Sequence, residues 1–381
     1  MELIVRPKRL KQKKLLHELG DIAIPFSVSG KQKFGKSDKT GHEIHIFDFK
    51  SILLASENFS STNKLGEGGF GPVYKGRLLD GREIAIKRLS KCSKQGLTEF
   101  KNEVKLIARL QHTNLVRLYG FCIEGEEKML IYEYLPNKSL DFYLFDHNNR
   151  ILLDWKRRLN IIQGIAQGLV YLHKYSRLKV IHRDLKPSNI LLDHEMCPKI
   201  SDFGMARIFE LKEFEQENTN RVVGTYGYMS PEYALSRIVS VKTDIFSFGV
   251  LLLEIVSGKK NVSFVKSEHS INLIGHAWKL WNEEKALELA DPSLSGTWNA
   301  DELLRCIHIG LLCVQDQAND RPDMLDVVSY LSNEAILLAE PKQPAFYINA
   351  RENNATSPAN NIAENCTCST CNVTISDFKG R

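Results

Sequence analysis

Apolar and polar positions divide the chain into two parts with different periods. From about residue 61 to 135, short alternating or apolar runs are separated by Gly-containing turns, which predicts strands. One stretch interrupts them. Leu97–Leu110 sets Phe100, Val104, Ile107 and Leu110 on one face at helical spacing. From about 139 to 335 the period is helical, and helices are predicted over Trp155–Tyr175, Val241–Ser257, Asn272–Trp281, Asp301–Val314 and Pro322–Leu331. Between the first two lies a loop-rich stretch, 180–232, dense in His, Asp, Asn and Gly. Residues 46–60 carry helical apolar spacing and predict a short lead-in helix. The pattern predicts an α+β class in two lobes: a small antiparallel-sheet lobe with one main helix (61–135) and a larger, mostly helical lobe (136–340). The polar junction between unlike lobes predicts a cleft. Residues 1–45 are basic, then Gly/Ser/Lys-rich, and read as a flexible arm. Residues 341–381 turn Asn/Ser/Thr/Pro-rich and read as a disordered tail.

Composition narrows this picture. The 381 residues suffice for two lobes and short tails, and 43% hydrophobic with 25% charged residues is ordinary for a globular protein. The net charge of +5 is uneven: residues 1–40 hold ten Lys/Arg against four Asp/Glu, so the rest sums to about −1. A near-neutral body gives no basis for nucleic-acid binding. No apolar run reaches the length of a bilayer span, Leu251–Val256 being the most apolar stretch and too short, and Glu2 excludes an N-myristoyl glycine. Cys92, Cys122, Cys197, Cys306 and Cys313 read as reduced, partly buried thiols. Cys366, Cys368 and Cys371 lack a nearby fourth ligand for zinc and read as unligated or lipidated thiols.

Four motifs carry chemistry. Gly66, Gly68 and Gly71 form G-x-G-x-x-G between two strand-like runs, whereas a dinucleotide-binding glycine turn opens a helix. Such glycines let backbone approach phosphate oxygens. Lys87 follows Ala85 in an apolar strand, where its charge requires a partner. Glu103 and, one turn earlier, Glu99 are the candidates on the amphipathic stretch. In His182-Arg183-Asp184-Leu-Lys186-Pro-Ser-Asn189, Asp184 can accept a hydroxyl proton, Lys186 can neutralise a migrating phosphoryl group and Asn189 can offer oxygen to Mg²⁺. Asp202, in Asp202-Phe203-Gly204, adds the carboxylate a hard cation requires. Phosphoryl transfer consists mainly of positioning and charge neutralisation, and this set supplies both.

In order and spacing these residues resemble the protein-kinase family over about residues 60–335. The resemblance implies a two-lobed protein-kinase-like fold with ATP and Mg²⁺ (or Mn²⁺) in the cleft. Leu65, Val73, Ala85 and Leu191 would sandwich the purine. Tyr132, Glu133 and Leu135 would form the hinge, with Tyr132 as gatekeeper. Ser230-Pro231-Glu232 resembles the close of an activation segment, and Glu232 would pair with Arg321. Asp244 resembles the residue that braces the catalytic loop. Lys186-Pro-Ser-Asn and Thr225 resemble Ser/Thr kinases rather than tyrosine kinases. Arg183 implies loop regulation, with Thr219 as the candidate phosphosite.

Longer phrases, such as IAIKRLS, YLPNKSLDFYLFD and GTYGYMSPEYALS, resemble plant receptor-like kinases of the S-domain and cysteine-rich groups. That resemblance implies autophosphorylation, Ser/Thr-bearing protein substrates and a receptor kinase partner at the plasma membrane. It leaves two expectations for the chain: a receptor-like cytoplasmic kinase, or the kinase part of a receptor. The basic arm would sit in the cytoplasm, at the inner face of the plasma membrane. A binding scaffold without catalysis is the competing class, and the intact Lys87, Glu103, Asp184, Asn189 and Asp202 oppose it.

Overall fold

The structure, a computed structural model, describes residues 26–28, 44–68, 71–90, 94–107, 109–209, 216–261, 272–294, 296, 298–346 and 374–375. The small lobe is a seven-stranded sheet with one helix on each face. Its strands are β1 (Phe26–Val28), β2 (Ile44–Ile46), β3 (Lys64–Gly68), β4 (Gly71–Arg77), β5 (Glu83–Arg88), β6 (Leu118–Glu124) and β7 (Glu127–Glu133). They lie in the order β1-β2-β6-β7-β5-β4-β3. β3 to β7 pair antiparallel, and β2 adds in parallel to the β6 edge. The two faces follow from the period of two. Ile84, Ile86, Met129, Ile131 and Cys122 point to one face, beneath helix α1 (Phe49–Ala55) through Ile52. Phe121, Ile123, Leu130 and Tyr132 point to the other, beneath helix α2 (Lys94–Ile107). All four apolar residues predicted for one face there are buried, with Leu110 just past the helix end.

The large lobe holds α3 (Leu140–Leu144), α4 (Trp155–Val170), α5 (Pro231–Ser236), α6 (Val241–Ser257), α7 (Leu273–Asn282), α8 (Ala300–Cys313) and α9 (Met324–Ser332). A π-helical turn, Tyr171–Tyr175, continues α4. Helix α6 is buried on all sides from Thr243 to Ser257, as expected of a helix apolar all round. A capping box fixes its start, with Lys242 N donating to Ser240 Oγ and Ser240 N to Thr243 Oγ1. Short strand pairs carry the junction: β8 (Lys179–Ile181) with β11 (Arg207–Phe209), β9 (Ile190–Leu192) with β10 (Pro198–Ile200), β12 (Glu217–Asn218) with β14 (Ile238–Val239) and β13 (Val223–Gly224) with β15 (Thr374–Ile375). The architecture is the α+β, two-lobed one that the periods predict and that the resemblance to protein kinases implies. Among the described residues no helix is long and apolar enough to cross a membrane.

Three boundaries differ from the sequence reading. The lead-in segment 46–60 holds a helix only over Phe49–Ala55, started by Asp48 Oδ1 accepting from Ser51 N, and β2 precedes it. β2 exists because residue 120 is Gly: a Cβ there would lie 1.9 Å from the His45 carbonyl oxygen. Phe26–Val28, within the stretch read as a flexible arm, is a strand beside β2. The tail read as disordered from 341 begins with a packed segment. Ala345 is buried and its N–H donates to Val314 O at 3.1 Å, while Lys342 N donates to Gln315 Oε1 at 2.8 Å. Residues 341–346 follow no strand or helix period, so patterning could not register them. Most of the basic arm, Cys92 and the three tail cysteines lie outside the described residues.

Candidate active site

The glycines occupy the β3–β4 hairpin, with Gly66 opposite Val73 and Gly68 opposite Gly71. Gly71 sits at φ 121°, and a Cβ there would come within 2.2 Å of the Arg88 carbonyl oxygen, so this turn admits only Gly. Sheet register carries the next residues to the same face. Val73 opposes Lys87, and Ala85 opposes Tyr132. Leu65 is partly exposed at the mouth, Leu135 packs at the edge of the core after β7, and Leu191 of β9 bridges Ser139. The Glu133 carboxylate turns elsewhere, accepting from Arg117 N at 2.8 Å.

Lys87 Nζ lies 3.1 Å from Glu103 Oε2 and 2.9 Å from Asp202 Oδ1. Geometry thus sets Glu103, the candidate the sequence favoured, rather than Glu99 against Lys87. Glu99 is buried one turn earlier, beside Gly204. Burial pulls the Lys87 ammonium down, but Asp202 and Glu103 outweigh it and raise its pKa. Burial pushes the Glu103 carboxyl up, and Lys87 offsets this only in part. Burial also pushes on Asp202, but there the Lys87 charge wins and the pKa falls. The Tyr132 hydroxyl donates to Glu103 Oε1. Burial and that neighbouring carboxylate raise the phenol well above its ordinary value, so it stays a donor.

A second network lies in the junction loops. Thr225 Oγ1 donates to Asp184 Oδ1 at 2.6 Å, and Lys186 Nζ donates to Thr225 Oγ1 at 2.7 Å. Lys186 Nζ is also 3.0 Å from Asp184 Oδ2. Asn189 Nδ2 donates to the Asp184 carbonyl at 2.8 Å and to its Oδ2 at 3.0 Å, which leaves the amide oxygen as the acceptor. The Lys186 charge contributes to the lowered pKa of Asp202, so the two networks meet there.

The loop carrying Asp184 hangs from a buried carboxylate. Asp244 Oδ2 accepts from His182 N at 2.8 Å and Oδ1 from Arg183 N at 2.9 Å. His173 Nε2 lies 2.9 Å from Asp244 Oδ2. Burial pushes the Asp244 carboxyl up, yet the histidines and these donors bring it below its ordinary value. Arg183 holds φ 66°, unusual for a non-glycine residue, which this clamp enforces. Arg183 Nε donates to Met205 O at 2.7 Å, and the Thr219 hydroxyl donates to Arg221 O at 3.0 Å. The two residues assigned to loop regulation are therefore each engaged elsewhere. Glu232 and Arg321 form a two-point pair at 2.8 and 2.9 Å. Ser230 Oγ donates to Glu232 Oε1 at 2.6 Å, so the Ser of Ser-Pro-Glu joins the pair it precedes.

Of the residues named from sequence, Lys87, Glu103 and Asp202 form one network and Asp184, Lys186, Asn189 and Thr225 a second, whereas Arg183, Thr219 and the Glu232–Arg321 pair make other contacts. Sequence reasoning missed the contacts of His173 with Asp244, of the Tyr132 hydroxyl with Glu103 and of the Ser230 hydroxyl with Glu232. His173 lies in the predicted helix nine residues before His182, and only the fold brings it to Asp244.

Residues 59–331 match the family described as protein tyrosine and serine/threonine kinase. The chain belongs to the protein kinase family. Its curated relatives include three Arabidopsis thaliana G-type lectin S-receptor-like serine/threonine-protein kinases. B120 is 60% identical over 312 residues, 82% of this chain and 36% of that protein. CES101 is 58% identical over 341 residues, 88% of this chain and 39% of that protein. RKS1 is 53% identical over 366 residues, 94% of this chain and 42% of that protein. The chain spans about two fifths of the length of these relatives.

Proposed function

We propose that this protein transfers the γ-phosphoryl group of ATP to Ser and Thr hydroxyls of proteins, itself included, in a receptor-like signalling role. One observation carries the reading: the Lys87–Glu103–Asp202 chain, whose Lys87 lies on the strand paired with the glycine hairpin, and the Asp184–Thr225–Lys186 cluster are joined through the charge of Lys186 on Asp202.

The residues present fit a nucleotide and Mg²⁺. The metal ordinarily takes one or two protein oxygens together with phosphate oxygens. Asp202 and Asn189 supply that number, and among the described residues no larger His/Cys/Asp/Glu group is set to hold a metal alone. Bound there, Mg²⁺ (or Mn²⁺) would neutralise phosphate charge. Lys87, steadied by Glu103, grips α/β-phosphate oxygens, and Val73, Ala85, Leu65 and Leu191 enclose the base against the Tyr132–Leu135 connection. Asp184 accepts the proton of the substrate hydroxyl, whose oxygen bonds to the γ-phosphorus. The bond to the β–γ bridging oxygen breaks, and ADP leaves with that electron pair. Lys186 neutralises the phosphoryl group in transit. Thr225 ties Asp184 to the segment over which a substrate peptide would lie.

The substrate class is read from Lys186 and Thr225, and the relatives' names support it. A plasma-membrane receptor kinase as partner, with the basic arm at the inner leaflet, belongs to the same proposal. So does loop control through Arg183, with phosphate entering at Thr219. The test is phosphosite mapping after incubation with Mg²⁺–ATP, beside Lys87→Met and Asp184→Asn. Phosphate is expected on Ser and Thr, Thr219 among them, and is expected to vanish in both variants while each still unfolds cooperatively. A folded wild type that incorporates none would favour a binding scaffold.

A further inference from the structure

Asn102 precedes Glu103 on α2, and no motif gives it a role. Its side chain reaches the turn that follows Asp202. Nδ2 lies 2.7 Å from the Ala206 carbonyl oxygen, 2.9 Å from that of Gly204 and 3.3 Å from that of Phe203. An amide nitrogen carries two hydrogens, so the two nearer carbonyls take them and the third stands within reach. Three carbonyls around one atom also fix the amide's orientation, since its oxygen would be repelled there. The turn, Phe203–Met205, follows Asp202 at φ 66°, a region that non-glycine residues adopt only where surroundings hold them.

We propose that Asn102 is a positioning residue that ties the turn carrying Asp202 to the helix carrying Glu103, so that both take their working places together. The proposal rests on the kinase reading above. Neighbouring residues on a helix point about 100° apart, so α2 reaches two places at once. Glu103 meets Lys87 and Tyr132, while Asn102 meets the turn. Lys87 closes the loop on Asp202. These two ties differ in one respect. Nucleotide phosphates draw on the Lys87 ammonium and the metal draws on Asp202, so that link is shared with the ligand. Asn102 binds only backbone carbonyls, and no ligand competes for it. It holds the helix and the turn together before, during and after nucleotide occupancy.

The test uses the full chain with Asn102→Asp, which keeps the shape and sets an acceptor against the carbonyls, and Asn102→Gln, which keeps the donor. Hydrogen–deuterium exchange without nucleotide is expected to quicken at the amides of 203–207 in Asn102→Asp, with β6 and β7 unchanged and Asn102→Gln closer to wild type. Losing hydrogen bonds at such a site should lower kcat by about tenfold, with the KM for the protein substrate unchanged and activity partly restored in Asn102→Gln. Wild-type exchange at 203–207 in Asn102→Asp would overturn the proposal. So would a rise in exchange spread evenly over both lobes. Exchange needs no turnover, so an inactive wild type would sink the kinase reading and leave this tie open to measurement.

Discussion

Glu103 is held by two partners of different kind. Lys87 supplies charge, and the Tyr132 hydroxyl supplies a neutral donor to the other oxygen. Glu103 is almost fully buried and its pKa is raised by that burial, so each donor matters to keeping it ionised. Tyr132→Phe keeps the ring and removes the donor. A hydrogen bond to a charged group contributes on the order of 1.5–3 kcal/mol, so steady-state kinetics should show kcat reduced about tenfold. An unchanged kcat would show that Lys87 alone orients Glu103. The sequence favoured Glu103 through its helical position beside Phe100 and Val104, with Glu99 as the competing candidate. That choice depends on the roll of α2 against β5, which is set by the packing of Phe100 and Val104.

Helix α1 shows how one element acts on the sheet that carries the site. Its Ile52 is fully buried among Ile84, Ile86, Met129 and Ile131, on the face opposite Lys87. Residues 84 and 86 alternate with 85 and 87, so this core fixes the plane from which Ala85 and Lys87 project. Ile52→Ala leaves a cavity under β5 and should cost about 3 kcal/mol of stability, read from urea unfolding with m unchanged. A loss below about 1 kcal/mol, the size typical of an exposed substitution, would mean that α1 is an appendage rather than part of the lobe. The period announced a helix in 46–60, but β2 was hidden. Three residues are too few for a pattern, and their place depends on the bare backbone at Gly120.

Across the two lobes, buried charges join segments that lie far apart in the chain. Arg321, fully buried, clasps Glu232 across 89 positions and also donates to Gln315 O. Glu254 on α6 is buried in the same lobe, accepting from the Tyr228 hydroxyl at 2.9 Å and from Asn261 N at 2.8 Å. Burial pushes its carboxyl from the ordinary 4.5 up to about 8. The folded state therefore keeps a proton that the unfolded chain releases. The stability from this group is fully present below about pH 4.5 and is lost as pH rises to about 8. Glu254→Gln keeps the acceptor and removes the titration. Its Tm should match wild type near about pH 5 and increasingly exceed it toward about pH 8.5. A difference that does not grow with pH would show Glu254 to be ionised throughout. By itself the sequence determined the lobes, the main helices and which residues stand as candidates for the chemistry, because periodicity and motif spacing are local. The tertiary structure decided that Lys87 faces Glu103 rather than Glu99, that His173 reaches Asp244 and Asn102 the turn after Asp202, that Ser230 serves Glu232, and that residues 341–346 belong to the folded body. Each of these is a meeting of residues distant in the chain, fixed by how packed faces align, and no local pattern records it.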